Sequence, residues 1–139
     1  MRYLLDTNIV VYIGMSEFDK IAPQTNLIIN DYNNQLYTSS ITAVEIVQLY
    51  NNNKIKSKKY KTAKDFIDAI EKVFFIKILP FTKEHVETFS KLKLSPKHKD
   101  PFDHSIISQA ITDKFILVSS DKAFEDYVSQ KLIFFHNKR

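Results

Sequence analysis

Apolar residues fall along the chain in two kinds of run. Short apolar runs that lack period-2 alternation are Tyr3–Leu5 (YLL), Leu36–Thr38 (LYT), Phe74–Leu79 (FFIKIL), Phe115–Val118 (FILV) and Leu132–Phe135 (LIFF). Strands of this kind are covered on both faces, as in parallel sheets. Between them lie longer segments with helical spacing: TAVEIVQLYNN from Thr42, AKDFIDAIEKVF from Ala63, TKEHVETFSKLKL from Thr82 and PFDHSIISQAITD from Pro101. Strands alternating with helices predict a three-layer α/β/α fold around a central, mostly parallel sheet of four or five strands. Right-handed crossovers place the C-terminal ends of such strands on one edge. Ligands bind beyond that edge, where the strand order switches. The Asn-rich stretches Tyr32–Gln35 and Asn51–Asn53 read as turns and helix ends. There is no internal repeat and no linker rich in Pro, Gly or Ser, so residues 1–139 read as one domain.

The first apolar run stops abruptly at Asp6, Thr7 and Asn8. Asp121 follows FILVSS in the same way, so two parallel strands would deliver both carboxylates to the same edge. Aspartate after a strand is also a common helix cap, and DKAFEDY can begin a short helix at Asp121. Glu45 lies between Ile41 and Leu49 on a helix that is apolar in most directions, the pattern of a buried helix. A buried carboxylate needs a partner or a metal. Locally, though, Thr42 with Glu45 fits a capping box, and Ile41 with Ile46 a hydrophobic staple; on the local pattern alone the cap is favoured. Asp100 followed by Pro101 reads as an N-cap and first helical residue. Asp103 then falls in the first turn, where the helix dipole favours an anion. Yet Ile106, Ile107, Ala110 and Ile111 continue its stripe, so it heads the face turned to the core.

Composition narrows the chemistry. The absence of cysteine excludes disulfides, zinc–thiolate sites and thiol nucleophiles, and fits a reducing cytoplasm. Gly14 is the only glycine, which excludes phosphate-cradling loops and dinucleotide fingerprints. No signal peptide is expected, and no apolar run has the length of a membrane span. If the four acids meet, two of them about 4 Å apart repel by roughly 4 kcal/mol at an effective dielectric of 20. A hard divalent cation relieves this, and all-oxygen ligands suit Mg²⁺ or Mn²⁺. Such a site can activate water and neutralise a phosphodiester during in-line displacement. The net charge of +4, with lysines concentrated in Asn53–Lys64, suits a polyanion such as RNA or an acidic protein, and equally a solvated surface.

Five segments in order, LLDTN, YTSSITAVEIVQLYNNNKI, ILPFTKEHV, HKDPFDHSIISQA and ILVSSDKAF, resemble PIN-domain ribonucleases, in particular the VapC-type toxins of bacterial type II toxin–antitoxin systems. The resemblance runs from about Tyr3 to Phe135. It implies a PIN-like fold, and a metal site of Asp6, Glu45, Asp103 and Asp121 holding Mg²⁺ or Mn²⁺. Ser119 or Ser120 would supply a hydroxyl near the last acid, and Thr7 and Asn8 a supporting shell. It further implies cleavage of RNA (tRNA, rRNA or mRNA) by a metal-activated water, a cognate antitoxin that inserts a segment over the site, and a cytoplasmic homodimer. Lys54, Lys56, Lys58 and Lys59 are candidates for RNA contact. Relatives often carry arginine after the second Asp of DPFD; this chain has His104 there, which becomes a further candidate. His98 is assigned no chemistry, and Asp100 is read as a cap.

Two other readings compete. A receiver-like signalling module would need an acid pair after the first strand and an Asp after the central one. The loop after the first strand has one acid, and FIKILPFT ends without any. A binding-only protein on the same fold would have no need of all four acids.

Overall fold

Tyr3 and Leu5 are buried in one hydrophobic cluster and Leu4, between them, in another. Successive strand residues point to opposite faces, so the first run needs no polar position: both faces are covered. In the computed structural model, which describes residues 1–139, this run is β1 (Arg2–Leu5). The other strands are β2 (Gln35–Ser39), β3 (Lys77–Leu79), β4 (Ile116–Ser119) and β5 (Ile133–His136). They form one sheet in the order β3-β2-β1-β4-β5, and every neighbouring pair is parallel. The helices are α1 (Thr7–Gly14), α2 (Pro23–Asn30), α3 (Ser40–Asn51), α4 (Ala63–Lys72), α5 (Lys83–Lys91) and α6 (Pro101–Asp113). Short 3-10 helices span Phe18–Lys20 and Lys122–Gln130.

The clusters define the layers. On one face, Tyr3, Leu5 and Val118 pack under Ile9, Val10 and Ile13 of α1 and Phe66 and Ile70 of α4. On the other, Leu4 and Leu117 pack under Ile106, Ile107 and Ala110 of α6, with Phe124 and Tyr127 of the second 3-10 helix. Helix α3 bridges the two, since Ile46 joins the first cluster and Ile41 packs against the second. This is the three-layer arrangement expected from the sequence. The strand order reverses at β1, whose neighbours are β2 and β4. The switch point therefore lies beyond the C-terminal ends of β1 and β4, where Asp6 and Ser119–Asp121 emerge. No helix is long and apolar enough to cross a membrane.

Several local expectations need correction. Helix α3 begins at Ser40, and the Ser39 hydroxyl accepts from the Ile41 N–H at 3.0 Å. Thr42 is therefore inside the helix, and Thr42 with Glu45 is no capping box. Nor is α3 apolar-buried all round, since Val44 and Val47 are exposed. Phe74 and Phe75 lie outside β3, and Phe75 turns into solvent with φ of 55°. The edge strands β3 and β5 are only partly covered, because each has a sheet neighbour on one side only. Helices α1 and α2 have no counterpart in the sequence reading. The caps at α6 and Asp121 do form as read: Asp100 accepts from the Phe102 N–H and Asp121 from the Ala123 N–H, both at 2.9 Å.

Candidate metal centre

Asp6 sits where β1 hands over to α1. Its N–H donates to the Val118 carbonyl at 2.9 Å, beside the last register pair of β1 with β4. Its carboxylate caps α1: Oδ1 accepts from the Thr7 N–H at 2.8 Å. Oδ2 accepts from the Ser119 hydroxyl at 2.6 Å and from the Asn8 amide at 3.2 Å. The side chain is 3% exposed, so these donors replace water. Thr7 reaches across to α3, donating to Glu45 Oε1 at 2.7 Å, with Thr42 Oγ1 at 3.0 Å. Asn8 Oδ1 accepts from the Ser120 N–H at 3.3 Å, tying α1 to the end of β4. Of the two serine hydroxyls, Ser119 is the one at the acids; Ser120 Oγ instead accepts from Asn137 at 2.7 Å.

Asp103 enters from the first turn of α6 and Asp121 from the turn after β4. One ligand oxygen each from Asp6, Glu45 and Asp103 lie within 4.8 Å of one another. A second group, His98, Asp103 and Asp121, meets the same limit, and Asp103 belongs to both. The Asp6, Glu45 and Asp103 carboxylates line a cleft of about 330 Å³ together with Thr7, Asn8 and Lys54.

Crowding has an electrostatic signature. Burial pushes the Asp6 carboxyl up to about 7, the charges of Asp103 and Asp121 push the same way, and the Ser119 and Thr7 hydrogen bonds oppose them. Glu45 is raised to about 7, first by burial and then by Asp6 and Asp100, against the Thr7 hydrogen bond. Asp103 is raised to about 7 by burial and by Asp100, Glu45 and Asp121. Three acids whose ionised forms oppose one another near neutral pH make a poor cap cluster and a good cation site, because a bound dication reverses the sign of each penalty. The donors of the Asp6, Glu45 and Asp103 group are all oxygens, which fits a hard dication such as Mg²⁺ or Mn²⁺.

The PIN domain family profile matches residues 3–129 of this chain. The chain belongs to the PIN-domain family. The receiver-like reading is thereby set aside. The fold is similar to that of VapBC2 from Rickettsia felis bound to a DNA fragment from their promoter, with 24% identity, a TM-score of 0.75 and coverage of 99% of this chain and 100% of the other. It is also similar to VapBC-1 from nontypeable Haemophilus influenzae, with 19% identity, a TM-score of 0.70 and full coverage of both chains. DNA-bound VapBC from Salmonella typhimurium gives 16% identity, a TM-score of 0.69 and 99% coverage of each chain. A comparison with curated proteins gives no match.

The remaining candidates in this PIN domain divide. Lys54 lines the acid cleft, whereas Lys56 and Lys58 line a separate cleft of about 450 Å³ with Lys61. Lys59 is exposed, its ammonium 5.7 Å from the Tyr60 ring centre. His104 is a correction: it is 2% exposed, with Nε2 at 2.8 Å from the His98 carbonyl and its ring packed on Phe89. A side chain so enclosed cannot reach an RNA backbone. His98, read from sequence as without chemistry, instead touches the acids, with Nε2 2.8 Å from Asp103 Oδ2. No periodicity could show this, because the contact depends on how the α5–α6 loop folds back. The only cue was its place five residues ahead of Asp103.

Proposed function

We propose that this chain is a single-domain, metal-dependent endoribonuclease, the toxin of a toxin–antitoxin pair. The observation that carries the reading is the meeting of Asp6, Glu45 and Asp103 within 4.8 Å in a cleft at the strand switch. Family membership and the likeness to VapBC structures support it. Asp6, Glu45 and Asp103 would hold Mg²⁺ or Mn²⁺, with Asp121 assisting from beside Asp103. When bound, the cation would lower the pKa of a water and neutralise charge on the phosphodiester.

The protein's own groups set the geometry. Ser119, Asn8 and the Thr7 N–H fix both oxygens of Asp6. The Thr7 hydroxyl orients Glu45. Lys54, on the rim of the cleft, draws in the RNA backbone, and Lys56, Lys58 and Lys59 extend that basic surface. The chain acts in the cytoplasm as a homodimer, and a cognate antitoxin covers the site, as the resemblance to VapC-type toxins implies.

The test compares the wild type with Asp6→Asn for cleavage of an RNA mixture, with Mg²⁺ or Mn²⁺ and with chelator. The expected outcome is metal-dependent cleavage that falls by about 100-fold or more in the variant. Equal cleavage by both proteins, or cleavage indifferent to chelator, overturns the mechanism. An intact wild type that binds no Mn²⁺ in calorimetry indicates the binding-only alternative.

A further inference from the structure

We infer that His98 is a positioning residue of this centre, a buried imidazole that hydrogen-bonds the Asp103 carboxylate through Nε2 and so fixes it on the side where Asp121 lies. The inference rests on the metal-site reading above. Nε2 of His98 lies 2.8 Å from Asp103 Oδ2 and 3.9 Å from Asp121 Oδ2. The two acids come from different elements, α6 and the turn after β4.

The imidazole is itself fixed from several sides. It is 5% exposed, and its ring centre lies 5.1 Å from that of Phe124, 5.5 Å from Tyr127 and 5.1 Å from His104. Its carbonyl accepts from His104 Nε2 at 2.8 Å if that nitrogen carries the hydrogen, which ties its backbone to α6. The loop that carries it, residues 92–100, is pinned to the second 3-10 helix. Gln130 bonds Lys93 twice, to its N–H at 2.8 Å and its carbonyl at 2.9 Å. Ser95 donates its N–H to the Tyr127 hydroxyl at 3.1 Å and its hydroxyl to Asp126 at 2.9 Å. That 3-10 helix is the one Asp121 caps. The loop, α6 and the 3-10 helix thus form one clamp with His98 at its centre.

The tautomer follows from the surroundings. Nδ1 is buried and has no hydrogen-bond partner. The hydrogen-bond acceptor, Asp103 Oδ2, is on the Nε2 side, so the hydrogen belongs on Nε2. A buried acceptor without a partner is unfavourable. A ring retained in that position is explained by what its other nitrogen does.

The test uses the full chain with His98→Phe, His98→Gln and His98→Asn. Glutamine presents an amide near the Nε2 position and asparagine near Nδ1, so only glutamine restores the donor. His98→Phe should bind Mn²⁺ roughly 10- to 100-fold more weakly in calorimetry, with kcat reduced and KM for RNA unchanged. His98→Gln should return to within about threefold of wild type, and nitrogen NMR of the wild-type imidazole should show the hydrogen on Nε2. A folded His98→Phe protein with wild-type Mn²⁺ affinity overturns the inference. So does a hydrogen on Nδ1, or glutamine performing no better than asparagine, a comparison that holds even where phenylalanine prevents folding. A wild type that binds no Mn²⁺ defeats the metal-nuclease reading instead, and the tautomer measurement still judges His98.

Discussion

Ser119 donates its hydroxyl hydrogen to Oδ2 of Asp6 across 2.6 Å, from the end of β4 to the end of β1. The Ser119 Oγ in turn accepts from the Asp121 N–H at 3.0 Å. One hydroxyl, fully buried, therefore joins two acids at the strand switch.

Ser119→Ala should break this joint. Asp6 loses a donor that stabilises its ionised form, and the Asp121 N–H loses its acceptor. The expected loss of stability is about 1–3 kcal/mol, measured by urea unfolding. Mn²⁺ affinity should fall roughly 10-fold or more. Ser120→Ala is the control. Its hydroxyl contacts Asn137 rather than an acid, so Mn²⁺ affinity should hold.

Glu45→Gln separates binding from stability. The Thr7 hydroxyl can still donate to the amide oxygen, but the charge that opposes Asp6 and Asp103 is gone. In chelator at pH 8 the variant should melt about 2–5 °C higher than wild type. Its Mn²⁺ affinity should fall. A variant that melts lower in chelator would show that Glu45 is not in conflict with its neighbours.

The raised carboxyls fix the sign of a pH dependence. Asp6, Glu45 and Asp103 sit at about 7 in the folded protein, against ordinary values of 3.8, 4.5 and 3.8. The folded state therefore holds protons that the unfolded chain has released. Stability from this source is complete below the ordinary values and is lost as pH rises through about 7. Melting temperature in chelator should drop by roughly 5 °C or more between pH 5 and pH 8. Saturating Mn²⁺ should flatten or reverse that trend, and Mn²⁺ binding at pH 6.5 should release protons. A flat profile in chelator would contradict the crowding.

Much of this arrangement is written locally. Tyr3–Leu5 and FILV announce buried strands because both faces are covered, and Asp103 heads the stripe of Ile106, Ile107 and Ala110 that packs on β1 and β4. What escaped the sequence is what depends on contacts distant along the chain. The capping-box reading at Thr42 failed because the helix starts three residues earlier than TAVEIVQLY suggested, after Ser39 at the end of β2. Helix α1 was obscured because IVVYI has no polar face: Ile9, Val10 and Ile13 are buried beneath a second helix. Helix α2 is short, with one buried residue, Thr25, and so carries almost no pattern. His98 and His104 are adjacent in space through a loop reversal, and either would read as a surface residue until that loop is placed.

Gly14 tests the packing of α1 on α4. A Cβ at this position would lie 2.2 Å from Cζ of Phe66, a ring that is fully buried and flanked edge-on by Tyr50 and Tyr60. The ring has no room to move aside, so α1 would have to shift, and α1 begins at the Asp6 cap. Gly14→Ala should cost about 1–3 kcal/mol in urea unfolding. Adding Phe66→Leu should recover part of that loss, since the two residues share one contact. Purely additive effects would place the clash elsewhere.

Lys54 and Lys58 separate two kinds of RNA contact. Lys54 lines the acid cleft, and Lys58 lines the neighbouring cleft with Lys56 and Lys61. Under the proposed function, a phosphate near the scissile bond meets Lys54 whatever the RNA length, while Lys58 is reached only by a longer strand. Lys54→Ala should raise KM for both a short oligonucleotide and a long RNA, with the salt slope of binding lowered by about 1. Lys58→Ala should weaken the long RNA alone. Neither residue is an oxygen donor to a cation, so Mn²⁺ affinity should not fall in either variant. Equal effects of the two substitutions on the short oligonucleotide would place the strand across both clefts from its first few nucleotides.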